Sequence, residues 1–450
     1  MNRRHFLKST MGLAASAMLP GMAHASFGDA LRLPLEKVAF GAANDAQTII
    51  VYLMGGQGEI IGNMSNFDEV VKLDPSYNDF TKDFTRTEDD FWAEAGGDYL
   101  QEMVDNGDAT IFRTCEQHDT LRAHLLNQIR NMRGNNVGYD SGMVTTLMHV
   151  YNEHAPQIRE SLMPNVTFVD SNYQLLSDAA TAHALPSELK PVSFGYYSTN
   201  NPFTRRSSSL EKYASDDFRD SLANQVNQGG AGLNGQITDM FLKRPKLEAF
   251  MDDILNSPLP EGVDYRTDVK GTHKYDPNHF GEMFEMAMRI LIENPQTKVL
   301  SMQAGAWDDH SNAITAHKYR GKYLFSAIKS ALDHAKAVGR DNINIILFGD
   351  FGRNMLLNKA LGWDHGNNQN FMWFGGRKFV NHQGVVGKTK LYTSYGRIFT
   401  TPTEESYQFE PYAIAATFYK LNGVKNPEVL TGGYKAIDPS GYTGQPFLKI

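Results

Sequence analysis

The segment Thr48-Ile49-Ile50-Val51-Tyr52-Leu53 runs without a charge and is mostly β-branched. A strand with one face in water alternates polar and apolar residues. An unbroken run like this one is covered on both faces, the habit of a parallel sheet buried between helices. It leads into Gly55-Gly56-Gln57-Gly58, a turn that either packs tightly or lets backbone amides approach an anion.

The chain after this run repeats the theme. Spacing predicts a helix over 91–104, a strand over 109–113, a helix holding His124, Leu125, Leu126, Ile129 and Met132, and a strand over 166–169. Further on come a helix over 280–292, a strand over 298–302, a helix over 313–338 and strands over 344–348 and 371–374. A last helix covers 411–421, and the remainder reads as Gly- and Pro-punctuated coil. Strands alternating with helices give an α/β class, with a mostly parallel central sheet and helices on both faces. Ligands in such folds gather at the carboxyl ends of strands, so the loops at 55–59 and 114–124 should open on one edge. Residues 191–279 change character, with Ser207-Ser208-Ser209 and Asn227-Gln228-Gly229-Gly230, and read as a helical insertion or cap within a single domain spanning 26–450.

The first residues carry an address. Arg3-Arg4 precede a short apolar stretch from Met11 to Leu19, and Ala23-His24-Ala25 is a small-x-small cleavage site. Residues 1–25 therefore read as a twin-arginine signal for export to the periplasm or beyond, too short to span a bilayer, which takes about 20 apolar residues. The formal charge of −8 becomes about −11 once Arg3, Arg4 and Lys8 are removed. An acidic surface with no Lys/Arg cluster beyond Arg205-Arg206 argues against a nucleic-acid partner. Cys115 is the single cysteine, which rules out an internal disulfide and makes a small buried hydrophobe of it more readily than a nucleophile.

Chemistry-bearing residues concentrate between Trp307 and Gly366: Asp308, Asp309 and His310 after one strand, Asp350 after the next, then Asp364 and His365. Carboxylates and imidazoles at neighbouring strand ends suit a divalent metal, although acidic and His residues also gather in loops because loops are wet. Trp307 and Trp363 flank these motifs as anchors of a loop core or as walls for sugar rings. His317 and His334 read as surface or cap positions, His382 could reach the site from the loop after Gly375-Gly376, and His118 and Asp119 face the first glycine turn.

The twin-arginine segment, Gly55-Gly56, Trp307-Asp308-Asp309-His310, Asp350-Phe351-Gly352-Arg353 and Asp364-His365-Gly366 together resemble the exported domain-of-unknown-function 1501 family. That family is similar to the alkaline phosphatase and sulfatase superfamily. The resemblance implies an alkaline phosphatase-like three-layer sandwich and a divalent metal (zinc, manganese or calcium) held by Asp308, His310, Asp350 and His365. It also implies His124 and Arg353 as residues meeting an anion, with structural pairing to Asp350 or Asp364 as the other role open to Arg353.

Two departures bear on activity. Gly58, followed by Glu59, stands where the family has an Asp that would help a second metal, and Ala123 replaces the Ser of its Arg-Ser-His motif. Thr120, Ser65 and Cys115 are the substitutes available for that hydroxyl. The implied function is an exported metal-binding or envelope-assembly relative that has lost the full catalytic machine. The alternative is a periplasmic hydrolase of phosphate or sulfate esters whose metal activates water and bypasses the missing Ser. An anionic ester, a glycan or an envelope protein would be the partner.

Overall fold

The computed structural model describes residues 33–118, 122–137, 141–168, 185–194, 233–265 and 279–450. The export segment, Asp119, Thr120, Arg205-Arg206 and the Ser- and Gly-rich stretches of the expected insertion lie outside the described residues.

Among the described residues eight strands form the central sheet. They are β1 (Gln47–Leu53), β2 (Ala109–Glu116), β3 (Asn165–Phe168), β4 (Val192–Phe194), β5 (Val299–Ala304), β6 (Ile343–Gly349), β9 (Asn368–Gly375) and β10 (Gly384–Val386). Two shorter pairs stand beside it: β7 (Arg353–Leu357) with β8 (Trp363–His365), and β11 (Thr389–Ser394) with β12 (Arg397–Pro402). The order is β10-β2-β9-β6-β1-β5-β3-β4. β1 runs parallel to both β5 and β6, and β9 alone runs antiparallel, between β2 and β6.

β1 is buried throughout, and its alternate side chains enter two separate cores, as the unbroken apolar run requires. Ile49, Val51 and Leu53 join the core containing Leu100, Phe284, Leu291, Leu324 and Ile328. These residues come from the helices Gly97–Asp105, Phe280–Glu293 and Ala313–Ala337. Ile50 and Tyr52 join the core containing Met132, Leu147, Val150, Ile414 and Phe418, from the helices His124–Arg133, Met143–His154 and Tyr412–Leu421. A fully buried Leu or Phe contributes roughly 1.5–3 kcal/mol relative to exposure, so both helix layers are held by burial. The three-layer arrangement expected from the sequence is the one found.

The differences from expectation are local. The helix predicted over 91–104 starts at Gly97, because Gly96 in the left-handed region (φ 89°) and the short turn Ala93–Ala95 interrupt it. The strand predicted over 371–374 is longer and antiparallel. The supposed coil after it holds the β11–β12 hairpin. Within 191–279 the described part includes the helix Leu233–Asn256. No described helix is long and apolar enough to cross a membrane.

Candidate metal centre

Three strands end side by side, and their loops make the site. β1 runs into Gly55 and Gly56, β5 into Trp307-Asp308-Asp309-His310, and β6 into Asp350. Gly55 has φ 103°, and a Cβ there would lie 2.4 Å from the Asp308 amide. Only glycine lets the β1 turn pass this close to the Asp308 loop. The β7–β8 ladder pairs Arg353 with His365 and so carries His365 back over the same edge. His124 arrives at the start of its helix from the loop after β2.

These loops bring His124, Asp308, His310 and His365 together, with one donor atom from each residue within 4.8 Å of every other. His124 Nε2 lies 2.9 Å from His365 Nε2, which lies 3.3 Å from His310 Nε2. Asp308 Oδ1 is 2.9 Å from His310 Nε2, 3.2 Å from His124 Nε2 and 3.8 Å from His365 Nε2.

The far side of each ring fixes its tautomer. His124 Nδ1 donates to Asp350 Oδ2 (2.7 Å), His310 Nδ1 to Asp364 Oδ1 (3.1 Å) and His365 Nδ1 to the Arg122 carbonyl (2.6 Å). Each acceptor assigns the proton to Nδ1, so three Nε2 lone pairs and one carboxylate oxygen face a common centre. Lone pairs repel at such distances unless a proton or a metal ion lies among them. An outward Nδ1–H held by a carboxylate or carbonyl is also how metal-binding imidazoles are oriented. The donor set therefore fits a divalent ion, and three imidazoles with one carboxylate match the donor preferences of zinc.

Asp350 stands one layer back. It is fully buried, and Oδ2 accepts from His124, the Gly55 amide (3.0 Å) and Gln128 Nε2 (2.9 Å), with the buried Tyr52 hydroxyl beside the same carboxylate. Asp350, expected as a ligand, accepts from His124 Nδ1, and His124, expected to meet an anion, lies within the group of possible donors. Arg353 is 1% exposed. Its guanidinium donates to the carbonyls of Gly55, Gly56, Trp307 and Trp363 and to Asp308 Oδ1 (2.7 Å). It ties three loops together, and its carboxylate hydrogen-bond partner is Asp308 rather than Asp350 or Asp364.

Burial acts to raise the Asp308 carboxyl's pKa, but the Arg353 hydrogen bond and charge outweigh it, and the group is held below the usual carboxylate range. Burial lowers His365 against the pull of the Arg122 carbonyl, which favours the neutral imidazole a metal needs. Phe351 is fully buried and sets its ring 4.8 Å from His124 and 4.7 Å from His365. It forms an apolar wall beside both rings.

The remaining candidates fall elsewhere. A Cβ at Gly58 would meet Trp363 at 3.0 Å and His317 at 3.3 Å, so packed rings fill the space that a side chain there would need. Glu59 turns inward to Thr400 and Asn368 (3.0 Å), and burial raises its pKa well above the carboxylate range. His317 and His334 are buried, not superficial. His317 bonds Asp309 (3.1 Å) between Trp307 and Trp363, and His334 meets the Tyr265 hydroxyl (3.1 Å). The two Trp side chains are loop-core anchors, both nearly inaccessible. His382 sits at the sheet's other edge, against Gly375 and Thr110. His118 is exposed near Glu410. Cys115 is buried with its thiol pKa pushed up by burial, and Ser65 donates to Asn63.

Sequence reasoning missed Arg122, whose carbonyl orients His365. Its positive φ (50°) is a backbone property with no signature in an Arg-Ala-His string.

No family model matches the sequence, and no curated protein matches it. Solved structures similar to the chain include the phosphonate monoester hydrolase from Silicibacter pomeroyi (10% identity, 89% of this chain and 77% of that one, TM-score 0.40). The PsFucS1 sulfatase from Pseudoalteromonas sp. overlaps at 11% identity, 90% and 72% coverage and TM-score 0.37. The alkaline phosphatase from the Antarctic bacterium TAB5 overlaps at 12% identity, 85% and 99% coverage and TM-score 0.32. The structural likeness is thus to sulfatases and phosphatases at low identity. Overlaps this loose carry no argument about activity, which has to come from the site.

Proposed function

We propose that this protein is an exported, single-metal relative of the domain-of-unknown-function 1501 proteins, with zinc as the ion best suited to His124, Asp308, His310 and His365. Its role on this reading is to bind metal and a partner in the cell envelope, reached by the twin-arginine route, and not to run two-metal ester hydrolysis. The observation that carries the reading is the convergence of three Nε2 lone pairs, each ring fixed from behind, on one carboxylate oxygen. Against two-metal chemistry stand the packed rings at Gly58 and Ala123 in place of a hydroxyl. Four protein donors can also close a tetrahedral zinc shell, whereas catalytic zinc keeps a position open.

A second reading, hydrolysis of phosphate or sulfate esters, draws on one feature: the side chains of Asp308 and His310 are 45% and 46% exposed, so solvent and a ligand can reach the group. A bound divalent ion would supply Lewis acidity to an ester oxygen there. Asp308 and the three imidazoles would hold it, while Arg353 and Asp350 keep those donors in register.

Elemental analysis of natively purified protein, followed by a screen of phosphate and sulfate esters with added zinc, manganese or calcium, separates the two. Stoichiometric metal without turnover supports binding. Metal-dependent turnover that disappears in His310→Ala replaces it with hydrolysis, and protein without metal affinity removes both.

A further inference from the structure

The β11–β12 hairpin has no part in the donor group, yet it touches the supports of two donors. Arg397 and Phe399 lie two apart on β12 and so share one face of the strand. Arg397 Nη2 lies 3.3 Å from Asp364 Oδ2, and the other oxygen of that carboxylate accepts from His310 Nδ1 at 3.1 Å. The Phe399 ring, 2% exposed, lies under the Arg122 guanidinium, 4.2 Å from it. Arg122 presents the carbonyl that accepts from His365 Nδ1, and its Nε donates to Asn367 Oδ1 at 2.7 Å.

Residues on the opposite face tie the strand to the core. Thr400 donates to Glu59, and Ile398 is buried in the same core as Ile49 and Leu324. On β11, Thr389 accepts from Asn63 and Asn66, both at 2.8 Å. The hairpin's root is therefore fixed, while Tyr395 at its tip is fully exposed.

We infer that β12 is an outer clasp of the metal centre: Arg397 positions His310 through Asp364, and Phe399 positions His365 through Arg122. Both are positioning residues, and the inference rests on the metal reading above. Asp364 needs the clasp because it is itself one-third exposed. A carboxylate free to rotate would release the Nδ1 hydrogen bond that keeps the His310 lone pair aimed inward. The Arg122 backbone has the same need, since its left-handed conformation holds only where surrounding contacts enforce it.

The test is cobalt and zinc affinity of the full chain, measured by chelator competition, with the cobalt absorption spectrum and the metal-free melting temperature recorded alongside. Direct partners of metal-binding imidazoles are worth 10–100-fold in affinity. Arg397→Ala and Phe399→Leu act one residue further out and should each weaken binding by roughly 3- to 10-fold. Because they act on different imidazoles, the losses should multiply in the double variant. Arg397→Lys, which keeps a cation on Asp364, should recover most of the affinity, and Tyr395→Ala should change nothing.

A metal-free melting temperature unaltered in Arg397→Ala, together with a shifted cobalt spectrum, supports positioning over general loosening. A double variant that binds within twofold of wild type overturns the clasp while leaving the metal centre intact. So does an Arg397→Lys variant no better than Arg397→Ala. Wild-type protein that takes up neither metal overturns the centre itself, and the clasp with it.

Discussion

At the carboxyl edge of the sheet, three imidazole nitrogens and a carboxylate oxygen face one another. At the amino edge, Asp108, Lys336, Arg340, Asp341 and Arg377 line a cleft of ≈ 270 Å³ where opposite charges meet. There Arg377 pairs with Asp108 at 2.5 Å, and Arg340 donates to Gln47 and to the Ile292 carbonyl (2.5 and 3.0 Å). His382 nearby spends Nε2 on the Gly375 carbonyl (2.6 Å) and places Nδ1 against the Thr110 hydroxyl (3.2 Å). Both edges are charged and both include histidine, so composition does not distinguish them. What does is arrangement: donors meet acceptors at the amino edge, whereas at the carboxyl edge three imidazole Nε2 atoms crowd one carboxylate oxygen that also accepts from Arg353. The carboxyl edge is therefore the one of the two whose side chains form a group that could hold a cation.

The comparison breaks first at His310. Removing one of four donors should cost metal affinity on the order of 100-fold or more, since even outer partners are worth 10–100-fold. Isothermal titration of His310→Ala with zinc measures it. An unchanged affinity would mean that the convergence has no consequence and that the two edges are equivalent.

Asp350→Ala comes next. It strips the His124 Nδ1–H, the Gly55 amide and the Gln128 amide of their shared acceptor, and should weaken zinc binding by about 10- to 100-fold. It should also destabilise the metal-free fold by about 1–3 kcal/mol, as buried donors are left unpaired. Chelator competition and urea titration read the two effects separately. Were Asp350 a ligand and no more, affinity would fall without that stability loss.

Gly58→Asp restores the acid that the family resemblance leads one to expect. Its Cβ would sit 3.0 Å from Trp363 and 3.3 Å from His317, so overpacking should cost about 1–3 kcal/mol. Metal stoichiometry should stay at one per chain. A second bound ion in this variant, counted by elemental analysis, would mean that the packed rings yield and leave room for another cation.

How much of this was open to the sequence divides along the same line. The sheet and its two helix layers were legible because burial imposes a pattern: Ile49 to Leu53 and Ile345 to Phe348 are unbroken apolar runs, and the long helix after Asn312 keeps its spacing. Asp308, His310 and His365 were legible as residues at strand ends. The placement of His124, Asp350 and Arg353 was not, because it depends on which side of a loop a side chain occupies, and Arg353 turns inward where Gly55 and Gly56 bring their carbonyls within reach. The β11–β12 hairpin did leave a signal in Leu391-Tyr392-Thr393 and Ile398-Phe399-Thr400 around Tyr395-Gly396, a pair of β-rich runs about a turn. It was masked by the surrounding Gly and Pro.

The smallest effect on metal is expected at the amino edge, where His382→Gln should leave zinc affinity at pH 7.5 unchanged and alter only the response to acid. Burial lowers the His382 pKa to about 4, against the raising effect of the Gly375 carbonyl. The unfolded chain takes up this proton near the ordinary value of about 6.5. Between those values the unfolded state binds more protons than the folded one, so stability rises with pH across that window. The neutral ring's contribution is therefore complete above about pH 6.5 and is lost as pH falls towards 4. Melting temperatures of chelator-treated wild type and His382→Gln across this range should differ in slope, with the variant flatter, because only the wild type carries this linkage. Parallel slopes would mean that His382 titrates alike folded and unfolded, and that burial does not hold the ring neutral. Acid sensitivity would then have to be sought at the carboxyl edge, among the facing imidazoles.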